Sequence, residues 1–125
     1  PGGVQEKNES LKETALREAE EEIGTLSKTI EIIGKLSSIC IPFSGYKVHP
    51  YVGWASAPPI LIPSTHEVER IIIVPIDELI DEKNQTQKKT ILRGMPVTMP
   101  YFSLKGEIVW GATSMILSEF KQIII

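Results

Sequence analysis

The stretch from Gly3 to Gly24, GVQEKNESLKETALREAEEEIG, constrains this chain more than any other. Pro1-Gly2-Gly3 can only form a turn or loop. Ser10, with Glu13 three residues on, is a capping box and predicts a helix from that point. Gly24 is a natural C-terminal stop. At about 100° per residue, Leu11, Ala15, Ala19 and Ile23 line one apolar stripe with Leu16 beside it, and the stripe should pack on a sheet. Glu18, Glu21 and Glu22 stand at i, i+3 and i+4, on one face beside the stripe.

That acidic face opposes its own folding. Like charges four residues apart cost a helix a few tenths of a kcal/mol per pair, roughly. Glu20 adds a fourth carboxylate to the same turn. A divalent cation converts the repulsion into ligation, and hard carboxylate oxygens suit Mg²⁺ or Mn²⁺ and not zinc. Arg17 lies one turn from both Glu13 and Glu21 and can hold a carboxylate in position.

The remaining composition narrows the class. The chain of 125 residues is long enough for a real core and predicts one domain, residues 1–125. A net charge of −3 offers no electrostatic footprint for nucleic acid or an anionic membrane. No apolar run approaches the ~20 residues of a membrane span, and no signal peptide is visible. Cys40 is the only cysteine and sits between Ile39 and Ile41, which reads as a buried structural thiol. A cytoplasmic, reducing location is the expectation.

Beyond the helix, strands are expected at 29–33, 36–42 and 46–55, the last interrupted by Pro50. Ile71 to Val74 reads as a fully apolar strand buried on both faces. Pro75 opens a short helix through Leu79. Asp81 to Lys89 is polar, without period, and reads as a flexible loop. Thr90 to Arg93 and Val97 to Phe102 form a hairpin, Lys105-Gly106 a turn, and a last helix runs from about Gly111 to Ile124.

Gly3, Glu9, Arg17-Glu18, Glu21-Glu22 and Gly24 match, residue for residue, the box of the Nudix hydrolases, G-x5-E-x7-R-E-U-x-E-E-x-G-U with U apolar. Ala19 fills the first U position; Thr25 departs from the second. The chain therefore resembles the Nudix family. The resemblance implies an α/β/α sandwich, with a mixed sheet between helices, that hydrolyses a pyrophosphate linkage in a nucleotide derivative. It also resembles a domain lacking its N-terminal strands, with roughly 40–80 further residues expected before Pro1. Without them an apolar patch or unpaired strand edge would favour association, so a homodimer is among the expected states.

Three further segments, Ile41 to Gly53, Glu67 to Leu79 and Val109 to Leu117, are similar to coenzyme A pyrophosphatase-type members. That likeness implies coenzyme A or acyl-CoA as substrate, cleaved to 4′-phosphopantetheine and adenosine 3′,5′-bisphosphate. The alternatives are ADP-ribose or another nucleoside-diphosphate derivative, and, in a different class, a non-catalytic nucleotide-binding module.

Within this reading Glu18 and Glu22 are the first metal ligands, because i,i+4 carboxylates can converge on one ion. Glu21 is the third, as ligand or as acceptor of the water's proton. Glu9 and Arg17 support them, and the backbone at Gly2 and Gly3 can approach a phosphate or metal because no Cβ intervenes. Glu67 is a further general-base candidate. His49 and His66 read as structural or surface groups. Tyr46, Tyr51, Trp54, Tyr101 and Trp110 could stack an adenine, but core packing is the better reading of each. Lys35, Lys47, Arg70 and Arg93 could bind phosphates, with nothing in the sequence to select among them.

Overall fold

Ser10 starts the first helix as its side chain requires. In the computed structural model, which describes residues Pro1–Ile125, α1 spans Leu11–Ile23. Ser10 Oγ accepts from Glu13 N–H at 3.1 Å, and Glu13 Oε1 accepts from Ser10 N–H at 3.1 Å. These reciprocal bonds satisfy two donors at the helix start. Gly24 ends the helix in the left-handed conformation, φ 76°, with its N–H on Glu20 O. The stripe Leu11, Ala15, Leu16, Ala19 and Ile23 is half-buried along its length.

The chain divides into two compact units, Pro1–Ile71 and Ile72–Ile125. The first holds α1 and two small antiparallel sheets. Strand β1 (Glu31–Lys35) pairs with β4 (Tyr51–Trp54), with an irregularity between Ile32 and Gly34. Between them β2 (Ile39–Cys40) pairs with β3 (Lys47–Val48). The expected strands at 29–33, 36–42 and 46–55 are thus all present; the first begins two residues later at the same length, the second is shorter, and the third is split in two. Ser27–Thr29 is a 3₁₀ turn that delays β1, and Pro50 separates β3 from β4. Proline has no N–H to give a ladder, so the break falls there.

The second unit begins with α2 (Ile76–Ile80), with Pro75 at its N-cap. It continues as a meander, β5 (Gln85–Leu92), β6 (Met95–Leu104) and β7 (Glu107–Trp110), and ends in α3 (Gly111–Ile124). The core of this unit is Leu79, Phe102 and Leu104, with Val74, Val109, Leu117 and Phe120 packed against it. Helices and antiparallel sheets make the fold α+β, in keeping with the expected class.

Three local expectations are corrected. Ile71 to Val74 forms no strand, and Ile73 is 69% exposed; apolar content without a pairing partner does not make a ladder. Asp81 to Lys89 is not a loop. Glu82–Asn84 is a 3₁₀ turn, and the following residues are the first half of β5, held by register pairs such as Gln87 with Pro100 and Lys89 with Thr98. Its polar side chains lie on an exposed strand, where neither face supplies an apolar period. Cys40 is exposed, because β2 is two residues long and carries it to a surface.

The aromatic residues also divide against expectation. Trp54, Trp110 and Tyr46 are largely exposed, whereas Tyr51 and Tyr101 are half-buried. No helix is long and apolar enough to cross a membrane.

Candidate metal centre

Arg17 organises the acidic face. Its Nε donates to Glu9 Oε2 at 2.7 Å and its Nη2 donates to Glu9 Oε1 at 3.2 Å. Nη1 donates to Glu18 Oε1 at 2.8 Å and to Glu21 Oε2 at 3.1 Å, and Nη2 also reaches Val4 O at 3.1 Å. The planar guanidinium presents several donors in fixed directions, which suits this division among partners. Glu13 is not one of them, because its carboxylate is committed to the helix cap.

Glu9 collects further donors. Thr14 Oγ1 donates to its Oε1 at 2.7 Å, and Glu6 N–H donates there at 3.1 Å. The Arg17 guanidinium first, and the Thr14 hydroxyl second, hold the Glu9 carboxyl down at about 2, from an ordinary value of 4.5. The same contact raises Arg17, which stays charged at any relevant pH. Thr14 is buried and escaped sequence reading; a helical Thr one turn before Arg17 is its only sequence signal. On the other side of the helix, the Ser27 hydroxyl lowers Glu20, which takes that carboxylate away from the acidic face.

The glycine turn closes on the same face. Gly2 N–H donates to Glu22 Oε2 at 3.0 Å. A Cβ at Gly3 would overlap the Glu18 carboxylate, so any larger residue there would push that side chain aside. The main chain of the turn therefore lies directly against the two acidic side chains.

Glu18, Glu22 and Glu67 converge: each offers one carboxylate oxygen, and these lie within 4.8 Å of one another. Glu67 follows a turn opened at Ser64, far from α1 in sequence. Glu21 does not join this group. Its side chain is 51% exposed and faces Arg17. Neither histidine joins it: His49 Nδ1 lies 3.0 Å from Ser38 Oγ, and His66 is exposed.

The family model described as the NUDIX domain matches residues 1–94 of the chain. This chain belongs to the Nudix family. Among curated relatives, it is 36% identical over 105 residues to Nudix hydrolase 3 of Caenorhabditis elegans, covering 82% of this chain and 43% of that protein. It is 30% identical over 123 residues to the uncharacterized Nudix hydrolase NudL of Photorhabdus laumondii, covering 98% of this chain and 65% of the relative. NudL of Pectobacterium atrosepticum is likewise 30% identical over 129 residues, covering 95% of this chain and 62% of its own. The Nudix chain thus spans less than two thirds of the length of these relatives.

The donor set of the Nudix chain fits a hard divalent cation. A six-coordinate Mg²⁺, with metal–oxygen distances of about 2.1 Å, holds ligand oxygens about 3 to 4.2 Å apart. Carboxylate oxygens already within 4.8 Å need only small adjustments to meet that geometry. All three groups are oxygen donors of high charge, the chemistry that Mg²⁺ and Mn²⁺ select. The exposure of Glu67 leaves one side of the cluster open to a ligand.

Proposed function

We propose that this chain carries a metal-dependent pyrophosphohydrolase site. Its substrate is a nucleotide derivative, coenzyme A or an acyl-CoA in our reading, cleaved in the cytoplasm to 4′-phosphopantetheine and adenosine 3′,5′-bisphosphate. The observation that carries the reading is the convergence of Glu67, from outside the box, on Glu18 and Glu22 within it. Three carboxylates that repel one another gain a reason to meet when a cation joins them.

Glu18, Glu22 and Glu67 would hold Mg²⁺ or Mn²⁺. When bound, such an ion neutralises diphosphate oxygens and makes a ligated water more acidic. Glu67, the most exposed of the three, can accept a proton at a carboxylate oxygen. Arg17 restrains Glu18 by a 2.8 Å contact while Glu9 and Glu21 fix Arg17 in turn. Glu21 acts through that contact. The bare main chain at Gly2 and Gly3 admits phosphate oxygens close to the acidic face.

The coenzyme A assignment is supported by the likeness of residues 41–53, 67–79 and 109–117 to coenzyme A pyrophosphatase-type members. Liquid chromatography of products from coenzyme A and from ADP-ribose, each with Mg²⁺ and with Mn²⁺, tests it. We expect 4′-phosphopantetheine from coenzyme A at the higher kcat/KM. Preference for ADP-ribose would replace the substrate, and turnover of neither with intact Mn²⁺ binding would leave a binding module.

A further inference from the structure

Glu67 reaches the cluster on a segment that hangs from the end of α1. A helix leaves its last carbonyls without partners in the helix. Here two are taken by one strap of chain: Ile62 N–H donates to Ile23 O at 2.9 Å, and Ser64 N–H donates to Glu22 O at 2.8 Å. Ser64 O then accepts from Val68 N–H at 2.9 Å and from Glu67 N–H at 3.3 Å, closing the turn on which Glu67 stands. Glu22 therefore serves twice. Its carboxylate faces Glu67, and its carbonyl holds the strap that delivers Glu67.

Gly24 admits the strap. A Cβ on this residue would lie 3.0 Å from Ile62 Cβ, 3.1 Å from Ile62 N and 3.2 Å from Ile62 O. Two of those three atoms are main chain and cannot swing aside. The left-handed φ of 76° also favours glycine.

We propose that Gly24, Ile62 and Ser64 are positioning residues: they dock the strap 62–67 on α1, and docking couples to divalent-cation binding by Glu18, Glu22 and Glu67. The inference rests on reading the three carboxylates as a cation site. With the strap released, the site keeps two carboxylates in place of three. Coupling of this kind is reciprocal, so the cation tightens docking by the factor by which docking tightens the cation.

Mn²⁺ affinity, read from the electron paramagnetic resonance of free Mn²⁺, and amide hydrogen exchange at Ile62 and Ser64 test this together. Saturating Mn²⁺ should slow exchange at both amides relative to protein in EDTA, and Glu67→Gln should abolish the slowing. Gly24→Ala and Ser64→Pro, the latter removing the donor to Glu22 O, should each weaken Mn²⁺ binding about 10- to 100-fold. Adding Glu67→Gln to either should weaken it no further, since the strap acts through Glu67. Wild-type affinity in a folded strap variant, fully multiplicative losses in the double variants, or amides indifferent to Mn²⁺ would each overturn the proposal. Should Gly24→Ala not fold, Ser64→Pro and the wild-type exchange data decide alone. Glu18→Gln is the control: if it too leaves Mn²⁺ affinity unchanged, the cation site itself is wrong. If Glu18→Gln weakens Mn²⁺ and the strap variants do not, only the strap inference falls.

Discussion

Arg17 and Glu9 are joined by two hydrogen bonds, of 2.7 and 3.2 Å, across eight positions of sequence. Glu9 precedes α1 and Arg17 lies within it, so the pair ties the incoming chain to the helix.

This pair makes stability fall in acid. The folded carboxyl of Glu9 titrates at about 2 and the unfolded one near 4.5. Between those values the unfolded state binds more protons, so stability declines as pH falls through the window. Glu9→Gln should flatten the decline of urea midpoints between about pH 5 and about pH 2 without abolishing it, because Glu20 is also lowered. A slope identical to that of the unmodified protein would show that Glu9 is not the group responsible.

Glu18→Gln or Glu22→Gln should reduce turnover by orders of magnitude, since a ligand for the cation is lost. Stability should change little. Arg17 keeps Glu9 and Glu21 when Glu18 is neutral, so the loss stays within about 1 kcal/mol. Glu21→Gln should cost less turnover than either, because its carboxylate faces Arg17 and not the cluster. Steady-state kinetics on the three variants, with melting curves, check the order; near-native turnover in Glu18→Gln or Glu22→Gln would mean the ligands are misassigned.

Lys121 tests a different balance. Its side chain is 1% exposed, with Nζ 3.0 Å from Gln85 Oε1 and 3.3 Å from Glu82 Oε1, and 6.0 Å from the centre of the Phe102 ring. Replacing a buried charge by an apolar group of similar shape is often neutral or stabilising. Lys121→Met should therefore stay within about 1.5 kcal/mol of the unmodified protein. Gln85→Leu leaves the buried cation short of an acceptor and should cost about 1–3 kcal/mol. Urea denaturation of both variants gives the order, and the reverse order would make the ammonium a net stabiliser.

Phe102 is also 1% exposed, at the centre of the core with Leu79 and Leu104. Phe102→Ala should destabilise by about 3–5 kcal/mol through lost burial and the cavity left behind. A loss below about 1 kcal/mol in urea would show that α3 and β6 collapse onto the gap, the other limit of a core truncation.

Sequence alone determined the features that depend on near neighbours. The cap at Ser10, the stop at Gly24, the acidic face of α1 and the hairpin turns follow from side chains within a few positions of one another. Arg17, Glu18, Glu21 and Glu22 fall in this class because the helix spaces them. What needed the tertiary structure was everything set by partners distant in sequence. On paper Glu21, inside the box, is the third ligand and Glu67 only a further general-base candidate. The strap from Ile62 to Ser64 brings Glu67 to Glu18 and Glu22, while Arg17 draws Glu21 aside. Gln85 to Lys89 reads as loop because its polar residues show no period, yet β6 supplies a partner for each of those residues. Ile71 to Val74 is the converse: apolar throughout, it finds no strand to pair with. A ladder is a property of two segments, and neither segment alone records whether the other will arrive.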